Sequence, residues 1–207
     1  MTEIQTQDSI IIRRNYLLIR RCIELISIVI LSPILLTLFL LISVIVLIDM
    51  KKDIIYKQVR AGKNGKPFTM YKFRTMKELP RCRNNYFCHQ KDRVTKFGYF
   101  LRVHRLDELP QAWNVMKGEM SFIGPRPEMI ESYFYYLGSI QDYSKRTLIE
   151  QGVTGWAQVN YNHTMTMEGN KIKLNYDIYY INNVSFKLDC IILLKTLKTV
   201  ITGKNSE

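Results

Sequence analysis

The sequence is poor in the patterns that build metal sites and disulfide frameworks. Its 207 residues include four cysteines, and no two of them stand in a C-x-x-C spacing. Cys22 and Cys190 lie in apolar, helix-like stretches, which predicts reduced thiols in a cytosolic compartment. Cys82, Cys88 and His89 lack a paired motif and a fourth ligand, so we predict no zinc site.

Acidic residues are also in the minority. Lys and Arg number 30 against 18 Asp and Glu, giving a formal net charge of +12. This surplus favours anionic partners: a phosphorylated substrate, anionic lipid headgroups or nucleic acid. The basic residues are dispersed and no recognised nucleic-acid-binding motif occurs, so we predict no nucleic-acid partner. A chain of this length can bury one sizeable core with an anchor attached.

One long apolar run lies near the amino terminus. Residues 25–48 are apolar apart from three serines and a threonine, and they exceed the roughly 20 residues that a straight helix needs to span a bilayer. No small-residue cleavage site follows them, which argues against a cleaved signal peptide. We therefore predict a retained membrane anchor.

The anchor contains Ser32-Pro33. Pro33 cannot donate to the carbonyl of Val29, which predicts a break that leaves two legs of roughly 12 and 24 Å against a hydrocarbon layer of about 30 Å. Basic residues flank both ends, favouring a cytoplasmic location for each. These features favour a re-entrant hairpin. A kinked single span stays open because proline is tolerated within transmembrane helices.

The pattern thus predicts an N-terminal cytoplasmic segment (1–22), a re-entrant membrane helix (23–48) and a cytoplasmic domain (49–207). In the last, β-like segments 54–56 and 68–71 flank a glycine turn and predict a hairpin. Lys72 and Arg74 follow on one strand face, where they could grip a diphosphate or form a solvated edge. Residues 77–93 predict a long loop, either a substrate lid or a disordered surface segment.

The adjacent carboxylates Asp107 and Glu108 are the most informative pair. An N-cap at Asp107 would place Pro110 in the first helical turn. The macrodipole and nearby arginines would then favour the ionised form of Asp107, which could attack a phosphate or hold a metal beside one. The same register predicts a buried face made of Leu109, Trp113 and Met116. The alternative is a simple helix cap.

Further segments offer weaker signals. The prolines around Arg126 restrict its backbone and predict a guanidinium aimed in advance at a phosphate, although such a segment can also be a structural turn. Residues 128–151 look helical, and 152–160 predict a glycine-hinged turn entering a short strand, with Thr154, Trp156 and Gln158 as candidate site residues. Residues 186–201 predict an amphipathic helix that lies in a headgroup layer or packs on the core.

Five ordered motifs together resemble a known family. They are YKFRTM (71–76), LDELPQ (106–111), MSFIGPRP (120–127), TGWAQVN (154–160) and DIYY (177–180). This succession is similar to the bacterial sugar transferases, the monotopic polyprenyl-phosphate phosphoglycosyl transferases. With the patterns above, the resemblance implies an α+β fold, mostly α with short strands, on the cytoplasmic face of the bacterial inner membrane. It also implies a re-entrant helix broken at Ser32-Pro33 and amphipathic interfacial helices.

The resemblance also implies the chemistry. Asp107 would attack the sugar-bearing phosphorus of a UDP-sugar, release UMP, and pass the phosphosugar to polyprenyl phosphate at the start of glycan assembly. Glu108 would act as a metal ligand or a proton shuttle, and Mg²⁺ would bind Asp107 and Glu108. The implied phosphate-contacting residues are Lys72, Arg102 and Arg126, with Arg74 and Gln158 as weaker candidates. Membrane lipids are expected partners, and a homo-oligomer is open.

Some positions depart from the family pattern. Glu150-Gln151 stands where Arg-Pro is common, and Tyr161-Asn162 where Gly-Arg is common. Two expected basic residues are therefore missing near the substrate-binding motifs. An inactive membrane scaffold or an anion-binding subunit remains the alternative to an enzyme.

Overall fold

The computed structural model describes residues 2–77, 93–161 and 166–202, with side chains described from Asn15 onward. Within these ranges the chain is mostly helical with four short strands, which confirms the α+β class. The predicted 77–93 loop lies outside the described residues except at its two ends. The candidate metal ligands Cys82, Cys88 and His89 lie outside them as well.

Helix α1 (Thr2–Met50) contains the whole apolar run and crosses both predicted boundaries, at 22 and 48. Its part from Asn15 to Met50 is long and apolar enough to cross a membrane. Pro33 lies inside α1 without ending it, so the predicted break does not divide the element into two helices. The Ser32 hydroxyl donates over 2.7 Å to the Val29 carbonyl, the acceptor that Pro33 leaves without an amide donor.

Both halves of α1 pack on the globular part of the chain. Before Pro33, Ile28 is buried in a cluster with residues of the hairpin and of two later elements. After it, Ile42 and Val46 are buried against Phe73 and Leu101. Between them, residues 29–34 are all exposed. Since six residues make more than one and a half turns, no side of the helix contacts the domain there.

The predicted hairpin is confirmed. Strands β1 (Ile55–Ala61) and β2 (Pro67–Phe73) pair antiparallel, with Tyr56 opposite Lys72. The other edge of β2 is covered by one side chain. The Asn114 amide donates to the Thr69 carbonyl over 2.7 Å and accepts from the Tyr71 amide over 3.2 Å.

Two short helices flank the carboxylate pair. Helix α2 (Lys96–Val103) is capped by Thr95, and α3 (Gln111–Lys117) ends at Gly118 in the left-handed conformation. A 3-10 turn (Leu106–Glu108) lies between them.

Two predictions about α3 are wrong. Asp107 lies within the 3-10 turn, and Pro110 is the residue that precedes the helix. The buried side chains of α3 are Gln111, Asn114 and Val115. Trp113 and Met116 are about half exposed, at 54% and 47%. The helix is rotated because Asn114 pairs with the open edge of β2, which a count of apolar positions does not reveal.

A second, parallel pair of strands follows. Strand β3 (Met120–Ile123) pairs with β4 (Gln151–Thr154), and helix α4 (Ile130–Ser139) and a 3-10 turn (Tyr143–Thr147) connect them. The region 128–151 is thus only partly helical. The glycine-hinged segment also differs from the prediction, since strand β4 is followed by the short helix α5 (Trp156–Asn160).

The chain closes with helices α6 (Met167–Asn182) and α7 (Phe186–Thr202), and α7 confirms the predicted amphipathic helix. Leu188 and Ile192 of α7 are buried with Ile123 and Tyr180. The opposite face is exposed and carries Leu194, Leu197 and Ile201. Helix α7 therefore packs on the core and also presents an apolar face outward.

Candidate active site

The carboxylate pair lies in a pocket of about 430 Å³ bordered by the hairpin, the end of α2 and the turn that precedes α4. Among the described residues, seven cationic side chains line it, against two carboxylates, Asp107 and Glu108. The cations are Arg60, Lys72, Arg74, Arg93, Arg102, Arg105 and Arg126. Such a surplus suits a ligand with several negative charges.

The hairpin supplies one wall through alternate positions. Tyr56, Gln58 and Arg60 lie on one face of β1, and Lys72 lies opposite Tyr56 on β2. Gln58 Oε1 accepts from Arg60 Nε over 3.1 Å and from Arg60 Nη2 over 2.6 Å. The sequence reasoning identified Lys72 and missed Gln58 and Arg60. Tyr56 lies opposite Lys72 in the hairpin, and side chains two residues apart on a strand share one face. Applying this alternation from Tyr56 along β1 would have identified Gln58 and Arg60.

Asp107 and Glu108 are both buried, at 8% and 7% exposure. Glu108 Oε1 accepts from Lys72 Nζ over 2.8 Å and from Arg126 Nη2 over 2.6 Å. Asp107 Oδ2 lies 4.0 Å from Lys72 Nζ. Two side chains distant in sequence thus converge on the pair, and Glu108 rather than Asp107 is their closest partner.

The two carboxyl groups differ in proton affinity. Burial raises the pKa of Asp107 above its usual range, against the attraction of Lys72 and with a further rise from the charge of Glu108. Arg126 and Lys72 outweigh burial at Glu108 and hold its pKa well below the usual range. The expectation that the surroundings of Asp107 favour ionisation is therefore corrected, because burial dominates there. A more basic carboxylate is, once ionised, the stronger nucleophile.

Arg102 and Arg74 also line this pocket. Arg102 Nε donates to Thr75 Oγ1 over 2.9 Å, and Arg74 Nε donates to the Asp53 carbonyl over 2.9 Å. Arg105 was not predicted. It adopts the left-handed conformation at φ 54°, which turns the chain from α2 into the 3-10 turn.

Gln158 is a predicted phosphate-contacting residue that does not reach the pocket. It is absent from the lining residues, and its Nε2 donates to the Val153 carbonyl over 3.1 Å. Thr154 and Trp156 do not line the pocket either. Thr154 Oγ1 lies 2.7 Å from Thr196 Oγ1 of α7, and Trp156 stacks on Tyr179 of α6.

The turn that carries Arg126 is fixed by close backbone contacts. Gly124 N donates to the Thr154 carbonyl and Gly152 N to the Pro125 carbonyl, both over 2.8 Å. A Cβ at Gly152 would lie 2.1 Å from Gly124 N, so only glycine allows this approach. The carbonyl of Arg126 itself accepts from Arg146 Nη2 over 2.9 Å. The guanidinium of Arg126 is thus positioned from behind by the protein backbone.

One atom in the pocket is suited to a metal ion. Glu108 Oε2 is buried and has no hydrogen-bond partner within the described ranges. The same ranges contain no cluster of three or more His, Cys, Asp or Glu side chains suited to a metal. Mg²⁺ commonly binds through one or two carboxylates, with water and substrate phosphates completing its octahedron. The donor set of Asp107 and Glu108 fits this mode.

The departures at residues 150 and 151 lie away from the pocket lining. Glu150 Oε1 accepts from Lys63 Nζ over 2.7 Å, which ties the hairpin turn to β4. Gln151 Nε2 donates to the carbonyls of Arg146 and Ile149, both over 3.1 Å. These two substitutions therefore serve local structure. Tyr161 stacks on Tyr176, and Asn162 lies outside the described residues.

Comparison with known proteins agrees with the motifs. The sequence model described as bacterial sugar transferase matches residues 15–203. The chain belongs to the bacterial sugar transferase family. A similar protein is the UDP-N-acetylgalactosamine-undecaprenyl-phosphate N-acetylgalactosaminephosphotransferase of Aeromonas hydrophila, 36% identical over 91% of this chain and 45% of the relative.

Two further proteins are similar to this chain at comparable levels. The uncharacterized sugar transferase EpsL of Bacillus subtilis is 37% identical over 77% of this chain and 76% of its own length. The UDP-glucose:undecaprenyl-phosphate glucose-1-phosphate transferase of Klebsiella pneumoniae is 39% identical over 82% of this chain and 36% of its own. The chain thus spans less than half the length of the two relatives whose names state an activity.

Proposed function

We propose that this protein transfers a sugar-1-phosphate from a UDP-sugar to polyprenyl phosphate and releases UMP, at the start of glycan assembly. The observation that carries the proposal is the pocket in which Asp107 and Glu108 lie buried among seven cations. A sugar-linked pyrophosphate matches this surplus of positive charge. The names of two relatives, which pair a UDP-sugar with undecaprenyl phosphate, support the same substrates.

In the first half-reaction an oxygen of the Asp107 carboxylate attacks the sugar-bearing phosphorus. A bond forms between that oxygen and phosphorus, and the bond from phosphorus to the bridging oxygen breaks, so UMP leaves with the electron pair. Asp107 suits this role better than Glu108. Glu108 is already held by Lys72 and Arg126 over 2.8 and 2.6 Å, whereas the nearest approach of Lys72 to Asp107 is 4.0 Å.

In the second half-reaction a phosphate oxygen of the acceptor attacks the same phosphorus. The bond to Asp107 breaks, the carboxylate is regenerated, and polyprenyl diphosphate sugar forms. No water takes part, and the two substrates act in turn, which predicts ping-pong kinetics.

The cations of the pocket neutralise the phosphate oxygens as charge shifts between them. Lys72, Arg102 and Arg126 are the candidates for direct contact, with Arg74 beside them. Their geometry is set before substrate arrives, because Arg102 is held by Thr75 and Arg126 by its backbone contacts. Preorganised charge of this kind lowers the barrier without reorganisation during the reaction.

Asp107 and the unpartnered Oε2 of Glu108 would hold Mg²⁺. When bound, the ion would neutralise phosphate charge and orient the leaving group. The two cations that grip Oε1 of Glu108 favour an ionised metal ligand over a proton shuttle.

We further propose that α1 is re-entrant and that the domain lies on the cytoplasmic face of the cell membrane. Support comes from the packing on either side of Pro33, where Ile28 and Val46 are both buried against the same domain. Both legs then approach the membrane from one side. The stretch 29–34, exposed all round, would be the apex in lipid.

The outward apolar faces fit a domain resting in the headgroup layer. Tyr99 and Phe100 of α2, Trp113 and Met116 of α3, and Leu194 and Leu197 of α7 are all exposed. Exposed aromatic and aliphatic side chains on short helices are typical of interfacial attachment. Membrane lipids would cover these faces.

A nucleic-acid binder is not favoured, since it gives no role to the buried carboxylates. An inactive scaffold is not favoured either, since the substitutions at 150 and 151 leave the pocket lining intact.

The test is incubation of the protein in detergent with Mg²⁺ and single UDP-sugars, without acceptor. UDP-N-acetylgalactosamine and UDP-glucose are the first donors to try, because relatives' names include them. We expect UMP release with one donor in proportion to enzyme, and a phosphosugar adduct on the peptide that contains Asp107.

The matched control is Asp142→Asn, which removes an exposed carboxylate that pairs with Lys145 and does not line the pocket. It should release UMP like the wild type. Asp107→Asn should release none, since an amide cannot form the acyl phosphate. Retained turnover in that variant would rule out the nucleophile, and the absence of UMP release from the wild type with every UDP-sugar would rule out the proposed activity.

A further inference from the structure

Arg105 differs from the other cations of the pocket in its side-chain contacts. Six of the seven donate a hydrogen bond to the protein: Arg60, Lys72, Arg74, Arg93, Arg102 and Arg126. Arg105 lines the same pocket, and its guanidinium makes no hydrogen bond and no ion pair within the described ranges. Since a guanidinium carries five N–H donors, all of them are left for water or a ligand.

The backbone holds Arg105 in a conformation that arginine rarely adopts. Its φ of 54° and ψ of 21° lie in the left-handed region, which costs free energy for a residue with a Cβ. Two hydrogen bonds fix it there, from Arg105 N to the Arg102 carbonyl over 3.1 Å and from Glu108 N to the Arg105 carbonyl over 3.2 Å. Glycine or asparagine would adopt this conformation more easily. The backbone alone therefore gives no reason for an arginine at this position.

Arg105 also lies outside the contacts of the two carboxylates. Lys72 and Arg126 approach Glu108 within 2.8 and 2.6 Å, and Lys72 lies 4.0 Å from Asp107. In the part of the chain that the structure describes, no carboxylate oxygen lies within 4.0 Å of the Arg105 guanidinium. Lys72 and Arg126 are thus placed for the phosphate that bonds to Asp107, and Arg105 is placed for a group farther from the carboxylates.

The proposed reaction develops charge at such a position. In phosphoryl transfer the attacking and leaving oxygens lie roughly in line, on opposite sides of the phosphorus. When Asp107 attacks the sugar-bearing phosphorus, the bridging oxygen leaves from the far side with the electron pair, and the phosphate of UMP gains a negative charge there. An arginine can donate to two oxygens of such a phosphate at once.

We infer that Arg105 binds the phosphate that leaves as UMP. This inference rests on the proposed function. The guanidinium donates to that phosphate and neutralises the charge that it receives from the breaking bond. The acceptor phosphate must attack in line from the same side, so Arg105 also meets it in the second half-reaction. Because Arg105 pairs with no carboxylate of the described chain, its charge is available to each phosphate in turn.

Binding of UMP tests this role without turnover. We would measure the Kd of UMP by calorimetry, with Mg²⁺ and in detergent, for the wild type, Arg105→Asn and Arg105→Lys. Asparagine tolerates the left-handed conformation, so Arg105→Asn removes the guanidinium with little change in the backbone. We expect the Kd of UMP to rise about tenfold in Arg105→Asn. The rise should be smaller in Arg105→Lys, which keeps the charge and loses the planar fork.

The same variants should show a kinetic effect. We expect kcat/KM for the UDP-sugar to fall at least about tenfold in Arg105→Asn, because the contact also forms as the bond breaks. Lys51→Asn is the matched control, since Lys51 is a basic residue in the left-handed conformation, at φ 52°, that is exposed and does not line the pocket. It should change neither the Kd of UMP nor kcat/KM.

An unchanged Kd of UMP in Arg105→Asn would overturn the inference. A loss of thermal stability in both Arg105→Asn and Arg105→Gly would overturn it too, because the side chain would then have a structural role. A wild type that binds UMP but releases none from any UDP-sugar would instead contradict the proposed function. The two failures are therefore distinguishable.

Discussion

Two carboxylates in this domain are held in the same way, and their surroundings differ. Glu108 accepts from Lys72 and Arg126 in the pocket, and Glu128 accepts from Lys173 and Arg146 in the interior. Around Glu128 the charges balance, because Asp177 also pairs with Arg146 over 2.9 Å. Around Glu108, within the part of the chain that the structure describes, cations outnumber carboxylates seven to two. The interior cluster is complete without a ligand, whereas the pocket retains positive charge for one.

The two clusters are connected through one residue. The Arg126 guanidinium donates to Glu108, and the Arg126 carbonyl oxygen accepts from Arg146. Arg146 is almost fully buried, at 1% exposure. The cluster around Glu128 therefore supports the turn that carries Arg126, and the Arg126 guanidinium extends into the pocket around Glu108. We therefore expect substitutions in the cluster around Glu128 to lower the stability of the fold, and substitutions in the pocket around Glu108 to lower substrate binding and turnover.

The largest effect is expected for Asp107→Asn. Losing the nucleophile should lower kcat/KM by at least about 10⁴-fold, which leaves no detectable UMP release. The free energy of unfolding should change little, since Asp107 has no cation within 3.5 Å in the described structure. Steady-state UMP release and thermal unfolding in detergent measure the two quantities. If Asp107→Asn is inactive because it does not fold, the proposed difference between the pocket and the interior cluster is contradicted.

Arg146→Gln should break the balanced cluster. Glu128 and Asp177 would remain buried without their shared cation, which should cost about 3–5 kcal/mol of folding free energy. Denaturant unfolding measures this loss. Lys145→Gln is the control, because its pair with Asp142 is exposed and should contribute less than about 1 kcal/mol. If both substitutions lower the free energy of unfolding equally, the interior cluster stabilises the fold no more than an exposed ion pair does.

Arg126→Gln should show the opposite profile. Removing a preorganised phosphate contact is expected to lower kcat/KM for the UDP-sugar by about 10²-fold. Its side chain is 30% exposed and Glu108 keeps Lys72, so unfolding should change by only about 1 kcal/mol. Kinetics and unfolding on the same preparation test both. A purely structural Arg126 would instead lose stability and activity together.

The smallest effect is expected for Glu150→Gln. Its partner Lys63 is 47% exposed, so the lost pair should cost about 0.2–1 kcal/mol. Activity should be retained because Glu150 does not line the pocket. A large change in kcat/KM with unchanged stability would show that this departure from the family pattern acts on substrates after all.

Much of the architecture follows from local rules. The hairpin, the amphipathic α7 and the turn around Arg126 were all predictable, because each depends on turn residues and on a period within one segment. The convergence of Lys72 and Arg126 on the carboxylate pair was predictable from the five motifs. The raised pKa of Asp107 was not, because it results from burial by groups distant in sequence.

One error has a clear physical origin. Helix α3 turns Asn114 inward because its amide pairs with backbone groups at the edge of β2. A polar side chain there takes the place of a backbone hydrogen-bond partner. Apolar periodicity does not record such a replacement.

The most direct test of the central claim uses a UDP-sugar labelled at the phosphorus that bears the sugar. The account predicts that, without acceptor, label becomes covalently bound to Asp107 while unlabelled UMP is released, and that added polyprenyl phosphate then removes the label into lipid. Label that passes to lipid without ever residing on the protein, or that stays on Asp107 when acceptor is present, would contradict it.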